Sequence, residues 1–102
     1  ARDLESKSIL EIGPLIYHEL MPGHHMQVAL ALENAELPAI RRQALYFTAY
    51  SEGWAEYATT LAHEMGLLDG PYDRYGMLTS EAFTVARLVL DVGMNWRGWS
   101  LE

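Results

Sequence analysis

Apolar positions recur along this chain with a helical period, and no stretch shows the two-residue alternation of a strand. The longest pattern covers residues 39–65, where Ile40, Ala44, Phe47, Ala55, Ala58, Ala62 and Met65 are spaced for a helix among good helix formers. Gly66 stands where a left-handed cap would close it. A second long pattern covers residues 73–94, with apolar faces supplied by Met77, Leu78, Ala82, Val85, Leu88, Val89 and Val92. Arg87 and Asp91 are four apart on it and are expected to pair. Between the two patterns, Asp69-Gly70-Pro71-Tyr72-Asp73 reads as a turn. Two shorter helices come first. One is predicted from Pro14 to Met21, since a proline's missing N–H costs nothing in a first turn. The other is predicted over residues 24–33, closed by Glu36-Leu37-Pro38. Ahead of them, Ile9, Leu10 and Ile12 in the polar stretch 1–13 suggest a short buried element. Gly93 and Asn95 end the last helix, and Trp96-Arg97-Gly98-Trp99 forms an irregular aromatic tail. The expectation is an all-α chain of three to four helices, broken at Pro22-Gly23. Residues 1–102 make a single domain or a fragment of a larger helical one.

Composition narrows the partners. Half of the residues are hydrophobic and the formal net charge is −7. Nucleic acid and anionic membrane both call for clustered Lys and Arg, so neither is an expected partner. No apolar run approaches the ~20 residues of a membrane span. The chain has no cysteine, which excludes disulfides and thiolate metal ligands and leaves the compartment open.

Candidate chemistry is concentrated in Tyr17-His18-Glu19-Leu20-Met21-Pro22-Gly23-His24-His25-Met26-Gln27, which holds three of the four histidines. Catalytic zinc takes three protein ligands and keeps one open position. The common helical arrangement is His-Glu-x-x-His, with the glutamate as general base. Here His18-Glu19 gives the start, but the next histidines are His24 and His25. On an unbroken helix His25 would lie under His18 about 10.5 Å away, and His24 would point roughly 120° aside. Pro22 breaks the ladder and Gly23 frees the backbone, so a fold at Met21-Pro22-Gly23 would return one late histidine to His18. For a third ligand the candidates are Glu52 and Glu56, one turn apart on one helix face. Both sit among aromatic and small residues, where an unpaired carboxylate is costly to bury. Glu52, just before the mid-helix Gly53, is the preferred one. That glycine suggests a close backbone approach to the first helix. His63-Glu64 repeats the motif start without a following histidine, and reads as a surface pair near a helix C-terminus.

These residues carry a resemblance. His18-Glu19-x-x-Pro22-Gly23-His24-His25-x-Gln27, then Glu52-Gly53-Trp54-Ala55-x-Tyr57, resembles the bacterial family called domain of unknown function 885. Arg87-Leu88-x-x-Asp91-x-Gly93 followed by Gly98-Trp99-Ser100 is similar to its closing motif. Members are several times longer, so the resemblance implies a C-terminal fragment whose partners include the remainder of the parent chain. The family is in turn similar to gluzincin-type helical zinc peptidases. That likeness implies zinc held by His18, a second histidine and Glu52, with Glu19 as general base. It favours His24 over His25, which remains as an alternative ligand or substrate-facing group. The family's last motif usually ends in histidine where this chain has Asn95; the resemblance implies that Asn95 takes that catalytic position, stabilising the oxyanion or orienting substrate less well because asparagine cannot become cationic.

The implied function is that of a zinc-dependent peptide hydrolase catalytic region acting on a peptide substrate, in a bacterial protein either cytoplasmic or exported. Tyr50, Trp54, Tyr57 and Arg87 are candidates for the substrate cleft. The alternative is a non-catalytic metal-binding or helical interaction module, and a third reading is a purely structural helical fragment of a larger domain, whose exposed apolar faces would drive self-association.

Overall fold

The computed structural model describes residues 8–43 and 47–100. They are helical, with no strand among them. A 3-10 turn at Ile9–Glu11 runs straight into α1 (Ile12–Glu19), followed by α2 (His24–Glu33), the short α3 (Ala39–Gln43), α4 (Thr48–Glu64) and α5 (Pro71–Asn95). Ser8 caps the 3-10 turn, its hydroxyl accepting from the Leu10 N–H at 3.3 Å. That turn is why α1 begins two residues ahead of Pro14, which is buried within its first turn.

The break between α1 and α2 lies at Pro22-Gly23. The last amide of α1's ladder is Leu20, which donates to the Ile16 carbonyl. The Met21-Pro22 peptide is cis. The Met26 N–H then donates back to the Leu20 carbonyl at 3.2 Å, so the chain reverses within a few residues. Glycine is required at 23 because a Cβ there would collide with the carbonyls of Tyr17 and His18.

The pattern over 39–65 is not one helix. Phe47 is extended (φ −99°, ψ 112°) and α4 starts at Thr48. Aromatic and β-branched residues at 47 and 48 are poorer helix formers than their neighbours, while the apolar spacing runs on through the interruption. Ala44 of that pattern lies outside the described residues. The longest helix is therefore α5. It begins at Pro71 with Gly70 as its cap, so only the first half of the expected 69–73 turn is a turn. At the end of α4, Gly66 is left-handed (φ 77°). Its N–H reaches His63 O, and the Leu67 N–H reaches Ala62 O, the double closure of a Schellman cap.

α1 packs against both α4 and α5, and α2 packs against α4. The buried face of α4 is made of small residues, Ser51, Ala55, Ala58, Thr59 and Ala62, which let α1 come close. At the other edge, Gly76 of α5 lies against the Leu10 carbonyl, where a Cβ would not fit. Leu68, 1% exposed, plugs the α4–α5 turn. His63 braces that turn: its Nδ1–H donates to Leu68 O at 3.1 Å while Arg74 donates to Nε2. His63 is thus half-buried and bonded to the turn and to α5, more than a surface partner of a helix dipole.

Three further expectations are corrected. Gly53 faces open space, with nothing within 4 Å of where a Cβ would stand; the close approach to α1 falls on Gly23 and on the alanines of α4. The segment at Ile9–Ile12 is not a buried element, because Ile9 is 77% exposed and Ile12 49%. Arg87 and Asp91 do not pair: Arg87 lies over the Phe83 ring at 5.8 Å, and Asp91 accepts from Asn95 at 2.8 Å.

Candidate metal centre

Three elements bring His18, His24 and Glu52 together. His18 lies in the last turn of α1, His24 opens α2 beyond the reversal, and Glu52 lies in the first half of α4. The Nε2 atoms of His18 and His24 stand 3.8 and 3.7 Å from the Oε2 of Glu52. One ligand atom from each residue lies within 4.8 Å of the other two. The two imidazole rings meet edge to face, centroids 4.9 Å apart.

The other ring nitrogens also have partners. His18 Nδ1 faces Glu56 Oε1 at 3.7 Å, and Thr84 of α5 donates to that same oxygen at 3.3 Å. His24 Nδ1 pairs with the buried Ser51 hydroxyl at 3.3 Å. Both histidines therefore turn Nε2 inward, toward Glu52, and anchor Nδ1 outside. Partners of this kind orient metal-binding imidazoles and fix their tautomers. The reversal is tied to α4 as well: Trp54 Nε1–H donates to Pro22 O at 2.8 Å, and Gln27 donates to Tyr50 O at 3.3 Å.

The donor set can be tested against a metal. Tetrahedral zinc with bonds near 2.0–2.1 Å sets its ligand atoms about 3.4 Å apart. The two histidine–carboxylate separations, 3.8 and 3.7 Å, exceed that by a few tenths of an ångström, and the three ligand atoms all lie within 4.8 Å of one another. Two imidazoles and a carboxylate suit zinc and other first-row divalent ions. The histidine side chains are about four-fifths buried, and that of Glu52 is 46% exposed, so the trio is open on the carboxylate side.

Beside the trio runs a cleft of about 1160 Å³ between α1, α4 and α5, lined by His18, Glu52, Glu56, Tyr57, Arg87 and Asp91 among others. Tyr57 and Arg87 thus border it. Tyr50 and Trp54 do not: Trp54 is bonded through its indole to Pro22 O, and Tyr50 is exposed and accepts from Gln27 through its backbone carbonyl. Glu19, the last residue of α1, is exposed and makes no hydrogen bond or ion pair with the described residues. His25 is exposed one residue beyond His24 and stands outside the trio. Asn95 ends α5 and is bonded to Asp91. The bonds made by Ser51, Thr84 and Trp54 arise only once the reversal docks on α4 and α5, so no sequence signal showed these roles.

Among the described residues, no helix is long and apolar enough to cross a membrane. A family model described as a bacterial protein of unknown function (DUF885) matches residues 1–102. No curated protein and no solved structure gives a significant match.

Proposed function

The chain belongs to the DUF885 family of bacterial proteins, and from that premise we propose that it forms the zinc-binding catalytic region of a peptide hydrolase. The observation that carries this reading is the convergence of His18, His24 and Glu52, from three separate elements, within 4.8 Å. Two buried imidazoles facing a carboxylate are the donor set of a catalytic zinc site with one position left open.

When bound, zinc supplies Lewis acidity toward a peptide carbonyl and makes water acidic enough to react near neutral pH. The chain's own residues do the rest. His18, His24 and Glu52 hold the ion, and Glu56 and Ser51 keep the two rings turned toward it. Glu19 is the general base: its carboxylate takes a proton from the attacking water and delivers it to the leaving amine nitrogen. Water oxygen bonds to the carbonyl carbon, the C–N bond breaks, and an acid and an amine result. The adjoining cleft, with apolar walls and Tyr57 and Arg87 on its border, is where the peptide lies.

Metal content and peptidase activity test this together. About one zinc per chain is expected, lost in His18→Ala, His24→Ala and Glu52→Ala. Glu19→Gln should keep its zinc and lose hydrolysis. Hydrolysis unchanged in Glu19→Gln would remove the mechanism, and no zinc at micromolar concentration would remove the site.

A second reading, a metal-binding module without catalysis, draws on Glu19's lack of contacts and on the asparagine at position 95. Zinc bound with no exchangeable position and no hydrolysis would favour it.

A further inference from the structure

The threonines within the two long helices are of two kinds. Thr59, Thr60 and Thr79 turn back on their own helix, donating to the carbonyls of Ala55, Glu56 and Tyr75 at 3.2, 3.5 and 2.9 Å. A helical threonine commonly bonds the carbonyl four residues behind it in this way. Thr84 of α5 does not. Its hydroxyl crosses to α4 and donates to Glu56 Oε1 at 3.3 Å. That same oxygen faces Nδ1 of His18 at 3.7 Å, an ion-pair distance longer than a hydrogen bond. Thr84, Glu56 and His18 all line the cleft, from α5, α4 and α1 in turn.

The His18 ring lies between two carboxylates. Glu52 Oε2 is 3.8 Å from Nε2, and Glu56 Oε1 is 3.7 Å from Nδ1. A neutral imidazole carries one N–H, and only its bare nitrogen takes a metal. Each carboxylate draws the ring proton to its own side. With the proton on Nδ1, the ring offers Nε2 to the trio. With the proton on Nε2, it offers the trio nothing. Glu56 therefore favours the metal-binding tautomer, and Glu52, before a metal arrives, favours the other. The two distances are nearly equal, so the balance turns on how firmly each carboxylate is held. The Glu56 side chain is 38% exposed and flexible, free to swing into water unless it is pinned. Thr84 pins it. A β-branched side chain is stiff at χ1, and α5 is held in place by its own packing on α1. The carboxylate oxygen has lone pairs for both donors.

We propose that Thr84 is a positioning residue of the metal centre: by fixing Glu56 it keeps the His18 proton on Nδ1 and leaves Nε2 free to coordinate. The inference rests on the metal reading of His18, His24 and Glu52 and deepens it, since it ties the α5 wall of the cleft to a ligand on α1. Thr84 itself touches neither the ion nor the reacting atoms.

Thr84→Val keeps the shape and removes the donor, while Thr84→Ser keeps the donor. In the full chain, Thr84→Val should weaken zinc binding by about tenfold, the low end of what partners of metal-binding histidines contribute. Thr84→Ser should restore most of it. In a Glu56→Ala background Thr84→Val should change affinity no further, because the two residues act as one unit. A second readout needs no metal. Ring nitrogen-15 shifts of His18 in chelator, about two units above the ordinary imidazole value of about 6.5, report where the proton sits. Wild type and Thr84→Ser should hold more of it on Nδ1 than Thr84→Val does, with helical circular dichroism the same in all three. A lower melting temperature with affinity and ring shifts unmoved would make Thr84 a packing residue only and overturn the proposal. So would an equal loss in the Glu56→Ala background, or a Thr84→Ser chain that behaves like Thr84→Val. Absence of zinc binding would end the metal reading, and the ring shifts would still decide whether Thr84 acts on His18.

Discussion

At the scale of single residues, the site depends on a backbone contact as much as on its ligands. Gly23 fits where a Cβ would strike the carbonyls of Tyr17 and His18. Gly23→Ala must therefore push the reversal away from α1 and carry His24 with it. Over-packing of this kind costs about 1–3 kcal/mol. The expected outcome is a lower melting temperature and a loss of zinc affinity at least as large as in His24→Ala, read by titration with a competing chelator. The outer partners should show a graded effect. Ser51→Ala and Glu56→Ala each remove the group that orients one ring, which typically costs 10–100-fold in metal affinity. His25→Ala should leave affinity unchanged, because that ring lies outside the trio. Equal losses for His24→Ala and His25→Ala would contradict the ligand assignment. The ligand candidates were legible in the sequence because the chain has only four histidines, three of them in one stretch, and imidazole is chemically distinct. Choosing between His24 and His25 was not possible from helix geometry, since both fail on a straight helix. The choice depends on how the chain turns at 21–23. Glu56 was equally ambiguous: its distance from His18 Nδ1 and its bond from Thr84 depend on where α1 and α5 sit against α4.

At the scale of elements, periodicity located α2 to the residue and α5 closely, and it merged α3 with α4. The reason is physical. Apolar spacing runs on wherever residues keep helical intervals, whether or not they are buried, and Ile40 and Phe47 of this pattern are both exposed. Phe47 in extended conformation is invisible to that signal. Gly66 was legible because a left-handed cap has few other occupants. Gly53 misled for the complementary reason, since an open helix position and a close-packed one can both carry glycine. An exposed helix-interior glycine facing empty space makes a clear prediction. Gly53→Ala should stabilise α4 by about 1 kcal/mol, because helix propensity improves and no neighbour is disturbed. Thermal unfolding measures it, and a lower melting temperature would mean that the backbone at 53 is approached by something the chain itself does not supply. Trp54 acts between elements. Its indole N–H holds Pro22 O at 2.8 Å, so Trp54→Phe should keep the aromatic packing and lose roughly 1 kcal/mol, together with some order in the reversal.

At the scale of the whole molecule, the packing explains why metal and stability should be coupled. Among the described residues the fully buried hydrophobic ones are few and mostly alanine, so apolar burial among them contributes little. The histidine–glutamate cluster joins three of the helices, α1, α2 and α4. A ligand that binds only the folded state stabilises it by about 2.7 kcal/mol at a hundredfold excess over Kd. For a domain of this length each kcal/mol raises Tm by about 4–8 °C. Saturating zinc should therefore raise Tm by something on the order of 10–20 °C, and a chelator should reverse the shift. The gain should be local as well. Amide exchange should slow most in α1, the 20–23 reversal, the start of α2 and the first half of α4. The distal half of α5, which touches none of the three ligands, should change little. A uniform slowing would mean that zinc acts on global stability alone, and slowing confined to α5 would place the ion elsewhere.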